Sequence, residues 1–176
     1  MNFMELFQKA ISDELTAVAA YNKMAQSLYI GLDEQRVADH LIEHADEEHG
    51  HWKELQDFAQ RHGFQKELNF SLIHKEIFDN APTNGNITEA LMYHQELETG
   101  AITDYQALAL FGEENNSPEV YEFFNELMHD EMKHFDDFAD WTGQSRSCGV
   151  PHDVEVSMNP NEEDDDDDDK KESKKD

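Results

Sequence analysis

Apolar residues recur along this chain at alternating steps of four and three, the spacing of one face of an α-helix. The first stripe runs Phe3, Phe7, Ala10, Glu14, Ala17, Tyr21, Met24, Leu28 and predicts a helix over Phe3–Tyr29. Ser12 and Asp13 are poor mid-helix residues, but the stripe outweighs them. Gly31 is expected to end this helix and Asp33 to cap the next. A second stripe, Val37, Leu41, His44, Glu48, His51, Leu55, Phe58, His62, predicts a helix over Glu34–His62, closed by Gly63. The third, capped by Thr88, carries Ile87, Leu91, His94, Glu98, Ala101, Tyr105, Leu108 and Gly112. Asn115-Asn116-Ser117-Pro118 reads as a stop and a restart, with Ser117 as cap and Pro118 at the first helical position. The fourth stripe is Val120, Phe124, Leu127, Glu131, His134, Phe138, Trp141, ended by Gly143.

Between the second and third stripes lie the 24 residues Gly63 to Asn86, with Pro82 and the turn Asn84-Gly85-Asn86. A tight connection needs far fewer. A crossover accounts for the length: a helix of about 27 residues is about 40 Å long, and an extended chain of this size spans that distance. Phe70, Leu72, Ile73, Ile77 and Phe78 are expected to pack the connector on the bundle, part of it as a short helix. The expected architecture is all-α: a four-helix bundle over 1–143 with a long crossover between its second and third helices, then a tail over 144–176. The periodicity stops there, and Glu162–Asp169 is an unbroken acidic run, so the tail is expected to be disordered.

Each stripe is interrupted near its midpoint by charge. Glu48-x-x-His51 and Glu131-x-x-His134 each set a carboxylate and an imidazole one turn apart on a helix face. A lone glutamate precedes each at almost equal distance: Glu14 lies 34 residues before Glu48, and Glu98 lies 33 before Glu131. The chain therefore reads as two similar halves. Four carboxylates and two imidazoles on four helices form the ligand set of a two-metal site inside a bundle. Burying one unpaired carboxylate already costs several kcal/mol, and no Lys or Arg stands on any stripe to compensate. Two divalent cations would; hard carboxylates with imidazole suit iron or manganese, and zinc by the general affinity order. A third Glu-x-x-His, Glu126 to His129, lies off the stripe and is read as chance. His44 and His94, one turn before Glu48 and Glu98, are read as hydrogen-bonded neighbours of the ligands. Tyr21 and Tyr105 each follow a ligand glutamate by seven residues, placed to hydrogen-bond a bridging carboxylate or to donate an electron.

Composition narrows the setting. The 176 residues suit one domain, and no apolar run approaches the roughly 20 needed to cross a bilayer. The start, Met1 to Glu5, lacks a basic-then-apolar leader pattern, and Cys148 is the only cysteine. Both point to a reducing, cytoplasmic setting. The net charge of −28 argues against nucleic acid and anionic membranes as partners and favours attraction of cations.

Asp13-Glu14-Leu15-Thr16-Ala17 through Tyr21, Asp46-Glu47-Glu48 with His51, Glu96-Leu97-Glu98, and Asp130-Glu131-Met132-Lys133-His134 together resemble the motifs of the ferritin-like superfamily, in order, over about residues 3–142. The likeness is nearest to bacterioferritins and bacterial ferritins. It implies a ferritin-like bundle binding two iron ions per chain. Glu14 and His51 would be terminal ligands to one, Glu98 and His134 to the other, and Glu48 and Glu131 would bridge. Bacterioferritins hold haem through a methionine just after the first glutamate of the second-helix motif; His49 stands there, so no haem is expected. Rubrerythrin-type cysteine pairs are absent, and one chain supplies all six ligands, unlike miniferritins. The implied activity is a ferroxidase, oxidising Fe(II) to Fe(III) with O2 or H2O2 for iron storage and detoxification, in a homo-oligomer, with Tyr21 assisting. Two other readings stand beside it. One is a di-iron oxidase or oxygenase of a small organic substrate, for which Ala17, Ala20, Gly100 and Ala101 could leave room. The other is a non-enzymatic metal buffer or assembly module recruiting partners through Asp164–Asp169.

Overall fold

A computed structural model describes residues 1–29 and 31–142, with side chains to Asp137. The expected tail at 144–176, and Gly143 as a helix stop, lie outside the described residues. Four long helices, α1 (Phe3–Ser27), α2 (Leu32–His62), α4 (Ile87–Glu114) and α5 (Pro118–Thr142), form the bundle, and a short α3 (Lys75–Asn80) lies within the crossover.

Side-chain pairs give the helix directions. Glu14 on α1 meets Tyr105 on α4, whereas Tyr21, two turns further along α1, meets Glu98, two turns back along α4. These helices are therefore antiparallel. The same reasoning makes α2 and α5 antiparallel, since His51 faces Glu131 and Glu48 faces His134. With short turns joining α1 to α2 and α4 to α5, α4 must run parallel to α2. That is why the chain needs a crossover instead of a tight turn.

The helix ends follow local chemistry and differ from expectation in three places. Leu28 closes α1 through its N–H to Ala25 O, ahead of Tyr29. Gly31 is the N-cap of α2 instead of the stop of α1, so Asp33 falls in the first helical turn, where an acid favours the helix dipole. Asn86, not Thr88, caps α4: its side chain accepts from the Glu89 N–H and donates back to the Glu89 carboxylate. Asn2 and Glu5 form the reciprocal capping box of α1. Gly63 closes α2 in the left-handed region at φ 78°, as expected.

Two apolar clusters fill the bundle on either side of its polar middle. One is alanine-rich, built on Ala20, Met24, Leu28, Ala38, Leu41 and Leu91. The other is aromatic, with Phe7, Phe58 and Phe124 packed mostly edge to face. Where α4 turns into α5, a Cβ on Gly112 would lie 2.5 Å from Tyr121 N and 3.0 Å from Tyr121 Cα, so only hydrogen fits. Gly112→Ala is expected to lower stability by about 1–3 kcal/mol through overpacking, despite better helix propensity. Gly50→Ala, where the Cβ meets nothing within 4 Å, is expected to hold or raise the Tm. Thermal melts of the two variants check this.

The connector is fastened by Phe64, Leu68 and Phe70 packing on the aromatic cluster and by hydrogen bonds. Asn69 exchanges two with the Gln8 side chain, Trp52 Nε1 donates to Phe70 O, His74 N donates to Thr16 Oγ1, and Lys23 Nζ donates to Phe78 O. Phe70, Ile77 and Phe78 are partly buried as expected, but Leu72 and Ile73 are 43% and 38% exposed. Those two residues lie between the anchors at Phe70 and His74.

Candidate metal centre

The helical period brings Glu14 of α1, Glu48 and His51 of α2, Glu98 of α4, and Glu131 and His134 of α5 into one buried cluster at mid-bundle. Two overlapping groups result: Glu14, Glu48, His51 and Glu131; and Glu48, Glu98, Glu131 and His134. Within each, one potential ligand atom per residue lies within 4.8 Å of the others. Glu48 and Glu131 belong to both. His51 Nδ1 is 2.9 Å from Glu131 Oε1, 3.4 Å from Glu48 Oε2 and 3.8 Å from Glu14 Oε2. His134 Nδ1 is 3.3 Å from Glu48 Oε1, 3.3 Å from Glu131 Oε2 and 3.8 Å from Glu98 Oε2. The approximate two-fold of the site repeats the two halves of the sequence. Glu126 and His129 are exposed on α5, away from it.

Groups around the cluster fix its outer atoms. Tyr21 OH donates to Glu98 Oε1 at 2.6 Å, and Tyr105 OH donates to Glu14 Oε1. Each tyrosine thus reaches the lone glutamate of the opposite helix, not one of the two shared carboxylates expected from sequence. The antiparallel run of α1 and α4 is the reason. In each lone glutamate one oxygen is held by a tyrosine and the other faces a histidine. His94 Nε2 also meets Glu98 Oε1 at 2.9 Å and lies 3.0 Å from His44 Nδ1, so both histidines are hydrogen-bonded neighbours. His44 is also grouped with Glu98 and His134, which puts a further imidazole beside that half of the cluster. Glu47, not singled out from the sequence, holds the outer nitrogen of His134 at 2.9 Å. Its place directly before Glu48 was the available signal.

Burial sets the protonation of the metal-free cluster. Desolvation, then the Glu48 and Glu98 charges, pushes Glu131 up to about 8. Burial, with Glu48 and Glu131, likewise raises Glu14 well above the carboxylate range. Burial alone would raise Glu48, but close contacts with Glu14, His134 and His51, which favour its charged form, hold it well below that range. Burial would lower the two histidines, yet Glu131 and Glu48 outweigh it and lift His51 to about 10 and His134 to about 11. His44 goes the other way, to about 2, through burial and the neighbouring imidazoles. Protons therefore stand in for cations here.

They do so incompletely. Glu14 Oε2, Glu48 Oε1, both Glu131 oxygens and Nδ1 of His51 and His134 are buried without a hydrogen-bond partner. Their mutual contacts are close but lack hydrogen-bond geometry. Buried orphan donors and acceptors of this kind call for an ion or water, and an oxygen-rich set with two imidazoles fits a pair of divalent cations. Lys9, at the edge, does not neutralise the cluster, being engaged by Asp13 and Asp104.

A cavity of about 350 Å³ opens between α1 and α4 and reaches Glu14, Glu48, Glu98 and Glu131. Ala17, Gly100 and Ala101 line it, with Asp13, Glu76 and Glu96 among its polar walls. Ala20, expected beside such a space, lies instead in the alanine-rich core.

A comparison with curated proteins finds no match to this chain. A family model described as the ferritin-like domain matches residues 4–147, a stretch that runs through all four long helices. The cluster's shared glutamates and the crossover agree with that match, and the chain belongs to the ferritin-like domain family.

Proposed function

We propose that this protein is a ferroxidase in which Glu14, Glu48, His51, Glu98, Glu131 and His134 take up two Fe²⁺ ions as substrate. The observation that carries this reading is the pair of overlapping ligand groups sharing Glu48 and Glu131, with their inner atoms orphaned in a buried site. One ion would be held by Glu14 and His51, the other by Glu98 and His134, with Glu48 and Glu131 common to both. Each Fe²⁺ loses one electron. With O2 as acceptor, two Fe²⁺, one O2 and two protons yield two Fe³⁺ and H2O2; with H2O2 as acceptor, two Fe²⁺, one H2O2 and two protons yield two Fe³⁺ and two waters. The chain supplies geometry and charge compensation. Tyr21 and Tyr105 act as positioning residues, each pinning one oxygen of Glu98 or Glu14. The acidic cavity wall favours the approach of a cation. Manganese or zinc would also suit the donor set. A cytoplasmic role in iron storage and detoxification follows if copies assemble into a shell, and exposed Met92, Leu110, Phe111, Tyr121 and Met132 on α4 and α5 offer apolar surface for a homo-oligomer. Aerobic loading tests storage: soluble ferric iron well above the two ions of the site supports it, and retention near two rejects it.

The cavity also favours the second reading, an oxidase or oxygenase of a small organic molecule, because pockets of this size accept such ligands. Gly100 separates the two. A Cβ there meets nothing within 4 Å, so Gly100→Leu fills the cavity without a clash at its base. With Fe²⁺ entering by this route, stopped-flow oxidation is expected to slow severalfold while equilibrium metal capacity stays unchanged. An unchanged oxidation rate, together with lost turnover of an organic reductant, supports the oxidase instead. The acidic run behind the metal-buffer reading lies outside the described residues.

A further inference from the structure

On α2, His40 and His44 precede Glu48 by two turns and one turn, a spacing at which two imidazoles can chelate one ion. Their ring centroids are 4.5 Å apart. The antiparallel register that sets His134 against Glu48 carries Asp137, one turn further along α5, toward the same place. One potential ligand atom from each of His40, His44 and Asp137 lies within 4.8 Å of the others. The site is graded from inside to outside: His44 is buried, His40 half-buried and Asp137 exposed. His44 is oriented by His94 Nε2 at 3.0 Å, as metal-binding imidazoles commonly are by a second partner. His40 Nδ1 lies 3.5 Å from Glu43 Oε2, a second outer partner.

We propose that His40, His44 and Asp137 form a third cation site, open to solvent, beside the buried cluster. Two imidazoles and one carboxylate select a borderline divalent ion such as Fe²⁺, Co²⁺ or Zn²⁺ over Mg²⁺ or Ca²⁺. Three protein ligands with a solvent-facing side leave positions for water, which suits an exchanging ion more than a structural one. The His44 ring is also 4.5 Å from the His134 ring, so an ion held here stands next to the half of the cluster that contains His134. None of the six proposed ligands is used. The inference rests on the two-metal reading only for the count to which it adds.

Co²⁺ titration of the metal-free full chain, followed by visible absorption and by metal analysis at equilibrium dialysis, tests it. The expected capacity is three per chain for the native protein, two for His40→Ala and for Asp137→Asn, and one for Glu48→Ala combined with Glu131→Ala. Native capacity of one that disappears in His40→Ala upholds this site and rejects the buried cluster. A capacity that is the same in the native protein, His40→Ala and Asp137→Asn overturns the proposal, whatever its value. His40 is half-buried and Asp137 exposed, so both variants are expected to fold, and helical circular dichroism verifies that.

Discussion

Replacing Glu131 by alanine is expected to remove rapid Fe²⁺ oxidation and the binding of both buried ions. Glu131 is fully buried, belongs to both ligand groups, and leaves both oxygens without a hydrogen-bond partner in the metal-free cluster. Loss of a residue that merely hydrogen-bonds a ligand costs about 10–100-fold in metal affinity. Loss of a carboxylate shared by two ions should exceed that for each. Glu48→Ala is expected to behave alike, because Glu48 occupies the same position in the other half. Glu14→Ala and Glu98→Ala, each in one group, should weaken one ion more than the other. Glu131, raised to about 8, is mostly protonated at neutral pH, so its removal takes no net charge out of the core, and the metal-free Glu131→Ala protein should keep its helical spectrum. Equal oxidation rates for Glu131→Ala, Glu48→Ala and the native chain would remove the six-residue assignment.

The second large effect couples metal, protons and stability. In the metal-free protein His51 and His134 titrate near 10 and 11, and Glu131 near 8. All are raised above their ordinary values of about 6.5 for histidine and 4.3 for glutamate. A group raised in the folded state stabilises it fully below its unfolded pKa and loses that contribution as pH rises toward its folded pKa. The metal-free Tm should therefore begin to fall above about pH 4.3 through Glu131 and fall further between about pH 6.5 and pH 11 as the two histidines lose their protons. Glu48 and Glu98, held low, contribute in the opposite sense and cost stability only in acid. Cations must displace the protons on Glu14, Glu131, His51 and His134, up to about four for two ions. Binding should thus strengthen with pH and release acid into weak buffer. With each buried site at a hundredfold excess over its Kd, two ions add about 5 kcal/mol, or roughly 10–20 °C in Tm for a domain of this size. The Co²⁺-induced rise in Tm should grow between pH 6 and pH 8. A rise independent of pH, with no proton release, would contradict the protonation scheme.

What could be read in advance followed periodicity. The four stripes survive as helices because their apolar positions dominate a 25- to 31-residue window, and isolated poor formers such as Ser12 and Asp13 cannot outvote them. The six cluster residues were legible because they interrupt those stripes at matching places in two halves. The rest needed the third dimension. Tyr21 belongs with Glu98 only once α1 and α4 are known to be antiparallel. Asp137 meets His40 and His44 only across two helices. Leu72 and Ile73 were misplaced because a connector has no period to show which face is covered. Asn86, three residues before Glu89, carried a readable capping signal that Thr88 obscured.

The measurement that tests the central claim most directly is a single mixing experiment. Metal-free protein loaded under argon with two Fe²⁺ per chain is mixed with oxygenated buffer while ferric absorbance and O2 consumption are followed. The account predicts a fast phase in which two Fe²⁺ are oxidised per O2, absent from Glu48→Ala combined with Glu131→Ala. Oxidation of the native protein at the rate of that double variant would show that the buried cluster is not the site where iron gives up its electrons.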